Sequence, residues 1–132
     1  MLTGSCLCGA VRYEIHGELG PAFFCHCIRC RKASGTAFAS NAVVAEADFT
    51  VTAGEELLRT YTADTGLSRR FCGQCGSPLT SSRPGLPQVR VRLGTLDTPV
   101  VRGPQAHIFT AYKADWFDIL DDRVQYPERP PA

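Results

Sequence analysis

The sequence predicts a small all-β domain of short antiparallel strands with short helical turns, and three observations carry that prediction. Apolar and polar residues alternate with a period of two in several short runs. Gly, Pro, Asp and Ala-rich segments separate those runs at close intervals. No long amphipathic helix or βαβ pattern interrupts them, which disfavours a doubly wound sheet.

Taken in order, Val11, Tyr13 and Ile15 alternate with Arg12, Glu14 and His16, the period of a strand with one buried face. Gly17, Gly20 and Pro21 end that first strand, and residues 22–25 read as a second one running into Cys25, Cys27 and Cys30. Residues 28–33 suit one helical turn, closed by Ser34 and Gly35. Residues 38–44, 49–52, 57–62 and 68–71 are rich in β-branched and aromatic side chains and read as strands. The clearest strand follows the last cysteine pair, where Val89, Val91 and Leu93 alternate with Arg90, Arg92 and Gly94. Its two arginines are expected to face solvent or a site. Residues 106–112 read as one more strand, and residues 114–120, with Trp116 and Phe117, as a turn or a single helical turn. The tail, residues 126–132, contains Pro127, Pro130 and Pro131 and reads as a loosely ordered end.

A chain of 132 residues suits one domain over residues 1–132, able to bury roughly two thirds of its unfolded surface. Fourteen basic against 13 acidic residues give a formal charge of +1, so nothing here asks for nucleic acid. Seven thiolates holding two Zn²⁺ would move that charge to about −2. Residues 1–10 lack the pattern of a signal peptide, and no segment approaches the roughly 20 apolar residues of a membrane span, so the expectation is a cytoplasmic protein with no membrane partner. The Gly-rich phosphate loop and the Gly-x-Ser-x-Gly elbow are both missing.

The chemistry-bearing feature is the set of seven cysteines. Their odd number and close spacing, in a reducing compartment, read as metal binding rather than disulfides. Cys25, Cys27 and Cys30 are near enough for one turn of backbone to aim three sulfurs at a shared Zn²⁺. The remaining pairs, Cys6 with Cys8 and Cys72 with Cys75, each supply half of a tetrahedron and together make a closed four-thiolate site. Glycines flank both pairs, Gly4 and Gly9 at the first and Gly73 and Gly76 at the second, where a chain wrapping a metal often needs positive φ. Closed sites are structural and three-ligand sites keep a position for water or substrate, so the division points to one structural and one catalytic zinc. A fourth ligand from His26, His107 or an acid would close the second site too. His26 is expected to point away from the metal, His107 to be a hydrogen-bonded structural residue, and His16 to lie on the surface. Arg29, Arg31 and Lys32 cluster at the open site, either as solvated charges or as partners for thiolate or a substrate carboxylate.

The stretches Gly4-Ser5-Cys6-Leu7-Cys8-Gly9-Ala10-Val11, Cys25-His26-Cys27 through Cys30-Arg31-Lys32, and Phe71-Cys72-Gly73 through Cys75-Gly76-Ser77 resemble the glutathione-dependent formaldehyde-activating (GFA) family. Ala106-His107-Ile108, Lys113 and Trp116-Phe117 extend the likeness. That domain is also found in centromere protein V. The resemblance implies a tent-like antiparallel β fold related to small zinc proteins that bind Rab GTPases. It also implies structural ligands at Cys6, Cys8, Cys72 and Cys75 and a working zinc at Cys25, Cys27 and Cys30. The implied activity is that of a carbon-sulfur lyase joining glutathione to formaldehyde, with a small thiol and an aldehyde as partners. Carboxylates of the thiol would then need cations, and Arg29, Arg31, Lys32, Arg69 and Arg70 are the nearest supply along the sequence. The competing readings are a non-catalytic binding module in which both zincs are structural, and a zinc-holding or redox role for the trio.

Overall fold

The computed structural model describes residues 1–131. In chain order the elements are β1 (Leu2–Ser5), β2 (Arg12–Ile15), β3 (Ala22–Cys25), α1 (Ile28–Ser34), β4 (Ala39–Ala45), β5 (Phe49–Ala53), β6 (Leu58–Thr62), β7 (Ser68–Cys72), β8 (Pro78–Ser82), β9 (Gln88–Arg92), β10 (Ala106–Ile108) and β11 (Val124–Gln125). They form a three-stranded sheet, β1-β2-β5, and an eight-stranded sheet, β11-β10-β3-β4-β9-β8-β7-β6. This is the predicted small β fold with short helical turns.

Several elements differ from the expectation. β10 lies parallel to both β3 and β11, while the other strand pairs are antiparallel. The chain between β3 and β10 is long enough for a crossover, which a parallel pair needs. β1 and β8 went unforeseen, and Leu93 leaves the β9 strand to open a 3-10 turn. The strand expected over residues 106–112 stops at Ile108, because Phe109 adopts a left-handed conformation at φ 57 before a 3-10 turn over Thr110–Tyr112. Residues 114–120 form a turn, with Phe117 N donating to Ala114 O, and no helix. The start of the tail is tied down rather than loose: Phe109, Thr110 and Ala111 donate to the carbonyls of Glu128, Tyr126 and Pro127.

The small sheet packs on one face of the large one, burying Val11, Tyr13 and Ile15 against Val44, Leu79 and Val91. Tyr13 keeps its hydroxyl satisfied in this core through Thr95 Oγ1 at 2.6 Å. Because side chains alternate between faces and paired residues share one, the register sorts the rest. Cys25 lies in a row with Ala39 on one side and Ile108 on the other. Phe23, Asn41 and Arg92 form the next row, and Arg69, Ser81, Arg90 and Val43 another, all on the face turned away from the core. Further along the inner face, the C-terminal segment covers the sheet, with Phe24, Phe38, His107 and Phe117 in contact. Among the described residues no helix is long and apolar enough to cross a membrane.

Candidate metal centres

Among the described residues two groups bring metal-binding atoms together, Cys6 with Cys8, Cys72 and Cys75, and Cys25 with Cys27 and Cys30, each with its sulfurs within 4.8 Å of one another. These are the two sets expected from spacing. Neither takes in a histidine or carboxylate, so the trio has no fourth ligand from His26, His107 or an acid.

The four-sulfur group sits at the edge of the core and joins the β1–β2 loop to the turn after β7. The first turn is closed by Gly9 N to Cys6 O and the second by Gly76 N to Cys72 O. Gly9 and Gly76 stand at φ 79 and 81, a conformation that a side chain would strain. Backbone N–H groups point at the sulfurs, Val11 N at Cys6 Sγ and Gln74 N at Cys72 Sγ. At Cys6 burial works against the thiolate and the Val11 donor works for it, leaving that thiol below its ordinary range. Ser77 likewise holds the Cys75 thiol down at about 5. Four sulfurs about 2.3 Å from a tetrahedral Zn²⁺ stand about 3.8 Å apart. Cys6 and Cys8 lie 3.5 Å apart and Cys8 and Cys72 3.9 Å, so the group already has the size of that shell.

The trio is built where β3 ends and α1 begins. Cys25 closes the strand, Cys27 is the helix N-cap whose sulfur accepts from Cys30 N at 3.2 Å, and Cys30 turns inward from the first helical turn. Gly35 closes the helix as expected, and the helix itself runs one residue further than expected, to Ser34. Cys25 and Cys30 are buried, Cys27 is partly exposed, and Ala39, Ile108 and Phe109 wall the group. Hydrogen bonds from Cys25 and then Cys30 hold Cys27 far below the ordinary thiol range, and the same sharing pushes Cys25 up. Three sulfurs contending for protons at this distance are a donor set that a divalent cation would satisfy.

The five cations expected from sequence proximity go to different surfaces. Arg29 and Lys32 are exposed on α1, and Arg31 donates to Tyr112 O at 2.9 Å. Arg70 lies on the inner face, beside Val11, Tyr13 and Leu58. Arg69 does join the trio face, with Arg90 and Arg92 from β9. Burial first, and neighbouring arginines with it, hold the Arg90 and Arg92 guanidinium pKa values below the ordinary range, and Cys25 and Cys30, when ionised, work against that shift. Arg92 is itself buried and donates to Asn41 Oδ1. The β9 arginines were expected at a site or in solvent; strand pairing sets them on the same sheet face as Cys25.

The histidines also sort by face. His16 lies on the surface, 3.1 Å from Glu14. His26, between Cys25 and Cys27, points to the inner face and is fully buried, with Nε2 2.8 Å from His107 Nδ1. Burial first, then the neighbouring His107, Lys113 and Arg31, pull its pKa down to about 4. His107 is hydrogen-bonded, as expected, and its partner Asp121 had no signal in the sequence.

The glutathione-dependent formaldehyde-activating enzyme family model matches residues 1–112. A Halomonas elongata protein, provisionally named a glutathione-dependent formaldehyde-activating enzyme, is 35% identical over 128 residues, covering 90% of this chain and 81% of its own. The crystal structure of a Rhodobacter sphaeroides structural-genomics target superposes with a TM-score of 0.64 at 26% identity, covering 94% of this chain and 98% of that one. On the extent of that match and the identity of that relative, the chain belongs to the glutathione-dependent formaldehyde-activating enzyme family.

Proposed function

We propose that residues 1–132 form one zinc-dependent domain, a carbon-sulfur lyase that joins a small thiol such as glutathione to an aldehyde such as formaldehyde, or runs the reverse. The observation that carries this reading is the shared face of Cys25, Arg69, Arg90 and Arg92. An open thiolate site beside a row of guanidiniums suits a thiol that carries carboxylates. The names of the family and of the H. elongata relative point to the same substrates.

In this reading Cys6, Cys8, Cys72 and Cys75 hold a structural zinc, and Cys25, Cys27 and Cys30 hold a second one with a coordination position left for substrate. A Zn²⁺ there would lower the pKa of an incoming thiol from its free value near 8.5, so that it ionises at neutral pH. Arg69 and Arg90, both partly exposed, take the carboxylates through paired N–H donors. Arg92 stays with Asn41 and offsets the charge of the cysteine thiolates. Ala39, Ile108 and Phe109 keep bulk water from the sulfurs. The substrate sulfur donates a pair to the aldehyde carbon, the C=O π pair moves to oxygen, and that oxygen takes a proton from water. Holding the aldehyde near the sulfur supplies most of the rate gain, because lowering a thiol's pKa also lowers its intrinsic nucleophilicity. Thiolate chemistry of this kind suits a reducing compartment, which we read as the cytoplasm.

Calorimetry with glutathione and with its diethyl ester tests the reading. Glutathione should bind at least about ten-fold more tightly, as expected for a charge-assisted pair. Equal affinities would remove the arginine row as the carboxylate subsite, and no thiol binding at all would favour a zinc-stabilised binding module.

A further inference from the structure

Behind the cysteine trio, on the inner face of β3, lies a buried polar chain that the reaction above does not use. His26 Nε2 is 2.8 Å from His107 Nδ1, and His107 Nε2 is 3.0 and 3.2 Å from the two carboxylate oxygens of Asp121. The two rings are 0% and 2% exposed. Donor and acceptor roles run in one direction along this chain. A carboxylate only accepts, so His107 Nε2 carries the N–H. A neutral His107 then accepts at Nδ1, and His26 donates from Nε2. That leaves His26 Nδ1 with a bare lone pair, and this atom is buried with no hydrogen-bond partner. The His26 ring is therefore oriented by one hydrogen bond alone, inside a cage formed by Phe38, Phe117 and His107.

The backbone that carries this ring also aims two of the three sulfurs, since His26 stands between Cys25 and Cys27. We infer that His107 and Asp121 are positioning residues for the cysteine trio: the Asp121–His107–His26 chain pins the Cys25–Cys27 turn from behind and keeps its sulfurs converged for metal. Ligands held in advance need less ordering when the ion arrives. The acceptor end of the chain comes from the C-terminal segment, beyond the residues 1–112 that the family model matches. That segment is itself fastened. Arg123 N donates to Asp121 Oδ1 at 2.9 Å, the Arg123 guanidinium lies over the Phe24 ring, and Lys113 Nζ donates to the carbonyls of Ala114 and Phe117. The inference rests on the trio being a metal site, but not on any lyase activity there.

Cobalt titration of the intact protein, followed by absorbance and by competition with a chelator, reads the trio directly. Asp121→Ala should weaken metal binding at the trio by about ten-fold and alter its cobalt spectrum, the scale seen when partners behind metal ligands are removed. The four-cysteine site should be unchanged. Asp121→Asn keeps a neutral acceptor for His107 and should restore most of the affinity. Ile15→Val, a packing change in the main core that touches neither the trio nor His26, should lower Tm and leave the metal affinity of the trio alone. The inference is overturned if Asp121→Ala behaves like Ile15→Val, with lowered Tm and a wild-type trio. Nitrogen NMR of the histidine rings in the unaltered protein gives a check that needs no variant. His26 should carry its proton on Nε2, and a proton on Nδ1 would overturn the chain as drawn. Wild-type protein that takes no metal at the trio would overturn this inference together with the proposed function. Metal uptake that is indifferent to Asp121→Ala would overturn this inference alone.

Discussion

Replacing Cys72 by serine should damage the protein far more than the same change at Cys30. Cys72 is fully buried in the main core, 3.9 Å from the sulfur of Cys8, and so links the turn after β7 to the β1–β2 loop. Structural zinc contributes on the order of 10–16 kcal/mol in small domains, so one of four thiolates carries about 3 kcal/mol or more. For a chain of this length that is a fall in Tm of about 10 °C. It is also a large part of the roughly 5–15 kcal/mol that holds a typical domain folded. Cys30 ties only a local turn, because its partners Cys25 and Cys27 lie in the same segment. Cys30→Ser should therefore fold, with close to wild-type Tm and one metal fewer. Thermal unfolding followed by circular dichroism, alongside metal analysis of the same samples, measures both effects. Equal destabilisation by the two variants would refute the division into a clamping site and a working site.

Protein prepared under reducing conditions should contain close to two zinc ions per chain, with the four-cysteine site the tighter; a value of one that does not rise on adding zinc would remove the open site. Arg90→Gln should weaken glutathione binding by about ten-fold with little change in Tm, and unchanged affinity would take Arg90 out of the substrate site. His26 should stay neutral down to about pH 4, as read from its ring resonances, and titration near the ordinary 6.5 would contradict its burial. Its depressed pKa means that the unfolded chain binds more protons than the folded one between about pH 6.5 and 4. Its contribution to stability is thus fully present above that window and is lost as pH falls through it. Tyr13→Phe removes a buried hydroxyl from its 2.6 Å contact with Thr95 and should cost about 1 kcal/mol in denaturant unfolding; no loss would mean the contact is not satisfied in solution.

The parts of the molecule that could be read from the sequence are those written in local spacing. The trio Cys25, Cys27 and Cys30 needs only one turn of chain, and the two flanking pairs are each closed by their own glycine turn. The strands Arg12–Ile15 and Gln88–Arg92 announce themselves by alternation. Pro78–Ser82 does not, because Pro78, Ser81 and Ser82 are poor strand formers that are placed there by pairing with β7 and β9. Which arginines meet the trio was hidden for a related reason. Arg69 and Arg70 are neighbours in sequence but lie on opposite faces, and only the register of several strands tells which face carries the trio. The His26–His107–Asp121 chain joins residues 81 and 14 positions apart, with no periodic signal to link them.

The central claim is that the Cys25, Cys27 and Cys30 site takes the sulfur of a small thiol as its fourth ligand. The absorption spectrum of the cobalt-substituted protein, recorded as glutathione is added, tests it directly. A fourth thiolate should strengthen the sulfur-to-cobalt charge-transfer band and shift the d–d bands of one site, while Cys30→Ser should abolish the response. A spectrum that ignores glutathione, in protein shown to hold metal at both sites, would contradict the claim.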